Sequence, residues 1–225
     1  KTALGPFVTL RHGGGEGELG YGWSLRAASA IESRSESGVD AFYFDGQRLE
    51  PCADAPELLG CIAGGTHILR SLSGSRFEYA HATNRWTLWR PHGTRATFSS
   101  VETLDRERAR WLVTNERDQV GNEVVYLYAA GRISSIRYGE HLVEFLWLPM
   151  TGKDGVRSVL TRIAMTRTGS LSERVYDFEY QVTAGEPRLV SFGWRGGTIL
   201  NTADLVIHSA LRRELQWSEF VMHQL

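Results

Sequence analysis

Residues 118–138 read D-Q-V-G-N-E-V-V-Y-L-Y-A-A-G-R-I-S-S-I-R-Y, and they carry the clearest structural signal in the chain. Tyrosines and isoleucines recur at a period of two, which is typical of strands rather than helices. The turns at 118–122 and at Gly131 contain Gly or Asn, the residues that best tolerate positive φ. The segment therefore predicts a strand over 123–128, a turn, and an antiparallel strand over 133–138.

Strands of the same kind are predicted on both sides of this segment. Asp45-Gly46 between β-forming residues predicts a hairpin over 41–50, since this pair suits a tight turn. A turn at Pro91-His92-Gly93 predicts a second hairpin over 85–98. Further strands are predicted at 111–117, 142–148, 157–167, 173–182 and 188–194, the last before Gly196-Gly197. The expected fold class is all-β, an antiparallel strand meander.

The tail is compatible with two structures. Ile207, Leu211 and Leu215 fall at i, i+4 and i+8, which predicts a short C-terminal helix over 202–217, capped by Asn201 or Thr202. Leu215, Trp217 and the 220–222 run also fit a strand. Both alternatives stay open from sequence.

Charge and hydropathy exclude several classes of protein. The 225 residues include 25 Lys+Arg and 26 Asp+Glu, a formal net charge of −1, which lacks the basic footprint of a nucleic-acid binder. Of the basic residues 23 are arginine, scattered among acids rather than clustered along the chain. No apolar run approaches the ~20 residues of a membrane span. Residues 1–10 lack the features of a signal peptide and do not begin with Met, so we expect a piece of a longer protein.

Catalytic and metal-binding patterns are not found in the sequence. The seven histidines have no metal-ligand spacing, and there is neither an H-E-x-x-H nor a G-x-S-x-G motif. The glycine run at 13–17 lacks the G-K-[ST] of a phosphate loop, and the Glu16-Gly-Glu18 pair is interpreted as a solvated loop. We therefore expect no catalytic residues, no metal and no cofactor. A glycosidase carboxylate pair remains a weaker alternative, since no spacing among the 26 acids singles one out.

Cys52 and Cys61 enclose a short loop. In a secreted protein such a pair forms a disulfide, which contributes on the order of 2–3 kcal/mol by restricting the unfolded loop. In a reducing cytosol the same residues would be two buried thiols. Their spacing is not C-x-x-C, which argues against zinc.

Seven tryptophans are spread over the predicted strands. Their even distribution favours core and cross-strand packing, and a sugar-stacking platform is the alternative. Trp86 and Trp89 are three residues apart and so face opposite sides of one strand. One of the two is the best candidate for an exposed contact.

Two parts of the sequence resemble a known family. The 118–138 segment is similar to one unit of the YD (Rhs) repeat, and 175–180 with 188–192 looks like a looser second copy. The front half, with G-x-G-W-S-L ending at Leu25, resembles the virulence-plasmid B (SpvB)-type N-terminal domain that also opens the B subunits of insecticidal toxin complexes. His92 stands where that family usually has Asp. The residues that match the family motifs, and to which the resemblance gives a structural role, are Gly20, Gly22, Trp23, Asp118, Gly121, Asn122, Tyr126, Tyr128, Gly131 and Arg132.

The resemblance implies an organisation and a function. It assigns 1–110 to an SpvB-type β region and 111–195 to a YD/Rhs-like β region, and leaves 196–225 as an unassigned tail. It implies a non-enzymatic wall of a β-shell around a toxic polypeptide, with that polypeptide and other segments or subunits of the assembly as partners. It also implies a secreted bacterial protein, assembled first in the cytoplasm, without nucleic acid or a membrane span. The alternative function is a stand-alone secreted module that binds carbohydrate or a cell surface.

Overall fold

The computed structural model describes residues 5–6, 8–17, 19–36, 38–72, 74–105, 108–169, 172–198, 206–208 and 219–221. The chain is mostly strand with almost no helix, which confirms the predicted all-β class. The strands are β1 (Thr9–Gly17), β2 (Gly20–Arg26), β3 (Ala30–Glu36), β4 (Val39–Phe44), β5 (Gln47–Arg48), β6 (Glu50–Pro51), β7 (His67–Ile68), β8 (Arg76–Ala80), β9 (Arg85–Trp89), β10 (Arg95–Asp105), β11 (Arg108–Arg117), β12 (Glu123–Ala129), β13 (Arg132–Tyr138), β14 (His141–Gly152), β15 (Gly155–Arg167), β16 (Ser172–Thr183), β17 (Glu186–Thr198), β18 (Val206–His208) and β19 (Glu219–Val221). A four-residue helix, α1 (Leu59–Ile62), and a 3₁₀ turn (His81–Thr83) were not predicted.

Tight turns join the strands where the sequence predicts them. Asp45 and Gly46 both have positive φ, +47° and +81°, between β4 and β5. Ala130 and Gly131 do the same between β12 and β13, with +48° and +73°. Positive φ at both central residues gives a turn whose twist matches that of the flanking strands.

The first of two compact units spans Ala28–Tyr126. Its antiparallel strands pair in the order β6-β7-β8-β9-β10-β11. On the side of β11 that does not pair with β10, two strands pair one after the other. β3 pairs with the start of β11 (Trp111 opposite Ile31), and β12 pairs with its end (Asn115 opposite Val125). β3 continues through β4 to β5.

Aromatic rings fill the core of this unit. The ring of Phe44 on β4 lies 5.2 Å from that of Phe77 and 6.1 Å from that of Phe98. Phe42, two residues earlier and so on the same face of β4, lies 4.9 Å from Trp86. Phe77, Trp86 and Phe98 are fully buried, so these rings contribute much of the apolar area removed from water.

The second unit combines Gly5–Ala27 with the chain from Leu127 onward. Its strands run as the predicted meander, in the order β13-β14-β15-β16-β17-β18, and β1 pairs separately with β2 and β19. Two long hairpins, β14–β15 and β16–β17, dominate it. Their tips meet, since Lys153 N donates to the carbonyl oxygen of Gly185 at 2.5 Å.

The structure corrects two predictions in the last part of the chain. The strand predicted at 188–194 extends over Glu186–Thr198, because Gly196 and Gly197 pair with Arg174 and Glu173 through the backbone, which needs no side chain. Val206–His208 is a strand paired with β17, so the helix alternative is wrong there; Leu211 and Leu215 lie outside the described residues. The backbone of β17 offers hydrogen-bond donors and acceptors to a further strand, and the hydrophobic periodicity of the tail does not reveal this partner.

The boundary that the sequence predicts between the two β regions, at residues 110 and 111, falls inside β11.

Candidate functional site

The turn at 118–122 is built around one carboxylate. Asp118 Oδ1 accepts hydrogen bonds from Val120 N at 3.0 Å and from Asn122 N at 2.9 Å, and its Oδ2 accepts one from Asn122 Nδ2 at 2.7 Å. Donation from the Asn122 side chain is the main reason that the pKa of Asp118 lies below its ordinary value. Gly121 completes the turn with φ +92°. Asp118 is thus occupied by its own loop, as a structural residue would be.

The other residues of the 118–138 motif also have structural contacts. Tyr126 is buried and donates to Glu116 Oε2 at 3.1 Å, while Tyr128 is half-buried on the same strand. Arg132 follows the turn at Gly131; its guanidinium lies 6.0 Å from the Trp147 ring centroid and donates to the Ala130 carbonyl at 3.4 Å. Tyr126 is thus tied to β11, and Arg132 to the turn at Ala130 and to β14.

Glycines of the G-x-G-W motif are required by space and by conformation. Gly20 has φ +88°, and a Cβ on it would lie 2.5 Å from the carbonyl oxygen of Pro187 on β17. Gly22 has φ +85° with more room around it. Trp23 is half-buried and its ring meets that of His12 edge to face at 5.0 Å. The motif thus allows β2 to lie close to β17.

Cys52 and Cys61 are joined by a disulfide that closes the loop before and across α1. The backbone beside it is hydrogen-bonded, since Cys52 N donates to Thr66 O and Cys61 N donates to Leu58 O. Leu59 and Ile62 of α1 are both exposed. Because these two apolar side chains are exposed, the disulfide rather than hydrophobic packing holds this short helix in place.

The tryptophans that the structure describes do not form an open platform. Trp86 and Trp111 are buried, at 0% and 4% exposure, within a cluster of rings that also includes Phe42, His67 and Tyr79. Trp89 points to the opposite face from Trp86, as predicted, and is half-buried. The side chains of Trp194 and Trp217 lie outside the described residues. A neutral sugar would find no free ring face on Trp86 or Trp111.

Among the described residues, His67 is the histidine whose pKa is strongly shifted. Burial among the rings of Phe42 and Trp86 lowers it to about 4, and the nearby His81 adds to the effect. Its Nδ1 lies 3.0 Å from Thr66 Oγ1. The imidazole is therefore neutral at physiological pH and packs as part of the core.

Within the described part of the chain, no group of three or more His, Cys, Asp or Glu side chains is placed to hold a metal ion. The backbone of Glu16 lies in β1, and Glu18 is outside the described residues. Among those same residues, no helix has the length and apolar character needed to cross a membrane.

Exposed aliphatic side chains mark the two long hairpins. Leu146 and Leu148 on β14 are 47% and 48% exposed, and Val156, Val182 and Val190 on the next three strands are also exposed. Strand register places Leu146 and Leu148 on one face of the sheet and Val182 on the other, so we call Leu146 and Leu148 the hairpin surface. Sequence reasoning missed it, although Leu146 and Leu148 alternate with Trp147 in a way that places them on one face of β14.

The fold is shared with toxin proteins of known structure. No protein-family model matches the chain, and no curated protein sequence matches it. The N-terminal domain of the effector SpvB from Salmonella typhimurium strain LT2 superposes with a TM-score of 0.60 at 16% identity, covering 88% of this chain and 95% of that one. The TcdB2-TccC3-Cdc42 crystal structure gives a TM-score of 0.61 at 15% identity, covering 83% of this chain but only 14% of that one. The Photorhabdus luminescens Tc holotoxin pore gives 0.54 at 15%, covering 81% and 13%. The chain therefore has the fold of the SpvB N-terminal domain and of a similar segment within much longer Tc toxin chains.

Proposed function

We propose that this chain is a non-enzymatic structural module of a toxin-complex-type assembly, in which it forms part of a β-strand wall. The observation that carries the proposal is the shared fold, which extends over 88% of this chain and 95% of the SpvB domain. In the TcdB2-TccC3 chains the similar segment makes up 14% of the length, so there the fold is one part of a larger body.

Local chemistry supports a structural role. The polar motif residues Asp118, Asn122 and Arg132 are engaged within their own turns and hairpins. Tyr126 is likewise tied to Glu116. These hydrogen bonds order the turns and hairpins, which is the role that residues of a structural module would have.

The hairpin surface supports assembly with neighbours. Leu146 and Leu148 expose apolar area that a partner could bury, and buried apolar area is the main driving force of association. The partners would be other segments or subunits of the same assembly, and the enclosed cargo a toxic polypeptide. This role also implies secretion from a bacterium after assembly in its cytoplasm.

The test is the state of the protein in its native host. An antibody raised against this chain is used to isolate the polypeptide that carries it, and its intact mass and co-purifying proteins are measured. We expect either a polypeptide several times larger than 25.2 kDa or a stable complex with larger subunits. A free monomer near 25.2 kDa would contradict the proposal.

A further inference from the structure

Three arginines and a tryptophan lie in one row across four strands of the first unit. Arg76 on β8 is directly opposite Trp89 on β9, Trp89 is opposite Arg95 on β10, and Arg95 is opposite Arg117 on β11. Neighbouring strands lie ~4.8 Å apart, so this arginine row spans ~14 Å.

The row lies on the face that points away from the aromatic core. Side chains alternate along a strand, and the neighbours Phe77, Leu88 and Ala96 are fully buried on the other face. Arg117 is exposed, while Arg76 and Arg95 are half-buried.

Trp89 holds two of the guanidinium groups in place. The Arg76 guanidinium lies 4.9 Å from the ring centroid of Trp89, and that of Arg95 lies 5.4 Å from it. The two arginines come from the strands on either side of β9, so they flank the indole. Trp89 Nε1 donates to Glu78 Oε2 at 3.3 Å, which fixes the ring. Cation–π contact of this kind orders guanidinium groups without neutralising them.

Positive charge on this face exceeds negative charge, although Glu123 on β12 lies directly opposite Arg117 and Glu78 lies in the next row. Within the described part of the chain neither Arg95 nor Arg117 forms an ion pair, and Arg76 donates to the neutral carbonyl of Ala63 at 2.6 Å. Arg90, the residue after Trp89, differs from these arginines because it forms an ion pair with Glu116 at 3.2 Å. The exposed Arg85 adds a fourth cation on the same side of β9.

Polar side chains occupy the next row of the same face. Thr87 lies opposite Glu78 and Thr97, and Thr97 lies opposite Asn115. Glu78 lies in this row and accepts from Trp89, while Glu123, opposite Arg117 at the end of the arginine row, accepts from Asn115 Nδ2. Cations, hydroxyl groups and an amide are therefore presented together on a rigid sheet.

We propose that this face binds an anionic polysaccharide, with the arginine row engaging its sulfate or carboxylate groups and the threonines its hydroxyl groups. Arginine binds both kinds of anion through paired hydrogen bonds. Charge complementarity and the geometry of the row favour this occupant, and the inference is independent of the proposed assembly role.

Other anionic partners fit the face less well. The backbone groups of β9 and β10 are already paired on both sides, so an acidic peptide could not hydrogen-bond its own backbone to them. Two guanidinium groups already lie over the Trp89 ring, where they would compete with the stacking of a nucleic-acid base. A lipid surface would require apolar side chains that the row lacks.

The test measures binding of the full chain to four polymers by isothermal titration calorimetry at about 0.15 M salt. Heparin carries sulfate and carboxylate, polygalacturonate carries carboxylate only, dextran is neutral, and poly-glutamate is an acidic peptide. We expect binding to heparin, polygalacturonate or both, and none to dextran. Comparing heparin with polygalacturonate shows whether sulfate or carboxylate is the group that the arginines bind. The double variant Arg95→Gln/Arg117→Gln should bind at least about tenfold more weakly.

Matched variants distinguish binding at the arginine row from non-specific electrostatic attraction to the whole protein. Arg48→Gln/Arg137→Gln removes the same charge elsewhere and should bind like the wild type. Trp89→Leu, which releases the guanidinium groups, should weaken binding, and Trp89→Phe should restore part of it; circular dichroism checks that each variant is folded. The proposal is overturned if neither polysaccharide binds better than dextran, if the two double variants lose equal affinity, or if poly-glutamate binds as tightly as the better polysaccharide.

Discussion

Gly20 illustrates how one residue can control the approach of two strands. Its backbone lies in the left-handed region, and a methyl group there would meet the Pro187 carbonyl oxygen at 2.5 Å. We predict that Gly20→Ala lowers the free energy of unfolding by about 3 kcal/mol, combining backbone strain with overpacking. Denaturant titration measures the change.

Gly38 is the matched control for this prediction. It has φ +79°, yet no atom lies within 4 Å of its Cβ position. Gly38→Ala should therefore lower the free energy of unfolding by only about 1 kcal/mol, from backbone strain alone. Equal losses in the two variants would show that close approach at Pro187 is unimportant.

His67 predicts an acid-sensitive stability. In the unfolded chain its imidazole takes up a proton below pH 6.5, but burial keeps the folded form neutral until about pH 4. Stability from this residue is therefore complete above pH 6.5 and is lost as the pH falls to 4. Because the side chain is partly exposed, the loss should be on the order of 1–2 kcal/mol.

The measurement compares unfolding midpoints at pH 7.5, 5 and 4 for the wild type and His67→Gln. The difference between the two isolates His67 from the carboxylates that titrate in the same range. We expect a shallower pH dependence in the variant. His92→Gln, in an exposed turn, should keep the slope of the wild type, and a parallel slope in His67→Gln would contradict the prediction.

At the scale of the element, the Asp118 turn sets the register of β11 and β12. Asp118→Ala removes three hydrogen bonds, so we predict a lower thermal midpoint and faster amide hydrogen exchange in β12. Asp154→Ala, in the tip between β14 and β15, removes the same charge from a turn in which none of the described hydrogen bonds involves that carboxylate. A thermal midpoint that drops equally in both variants would rule out a specific role for the Asp118 turn.

On the whole-molecule scale, the hairpin surface predicts self-association of the isolated chain. Leu146 and Leu148 expose apolar area on the same strand, and the sequence pI is about 6.7, so charge repulsion is weakest near neutral pH. We predict that Leu146→Ser/Leu148→Ser reduces light scattering at that pH. Stability should change little, because these side chains are already half exposed.

Val39→Ser/Val120→Ser provides the comparison. Val39 begins β4 and Val120 lies in the turn before β12; they are 68% and 72% exposed, and they should not affect association. If this pair lowers the scattering as much as the leucine pair, general hydrophobicity rather than the hairpin surface is responsible.

The sequence alone determined the features that depend on neighbouring residues. Asp45-Gly46 and Gly131 mark their turns because few residue types adopt positive φ at low cost. Period-two alternation around Tyr126 and Ile133 likewise identified β12 and β13. These signals are local, so no knowledge of the rest of the chain was needed.

Only the tertiary structure decided which distant segments meet. The sharing of β11 between β3 and β12, and the pairing of Val206–His208 with β17, join residues far apart in the sequence. Arg76, Trp89, Arg95 and Arg117 look scattered in the chain, and strand register alone brings them into one row. The hydrogen bonds that set register act between strands, and hydrophobic periodicity within one strand does not encode them.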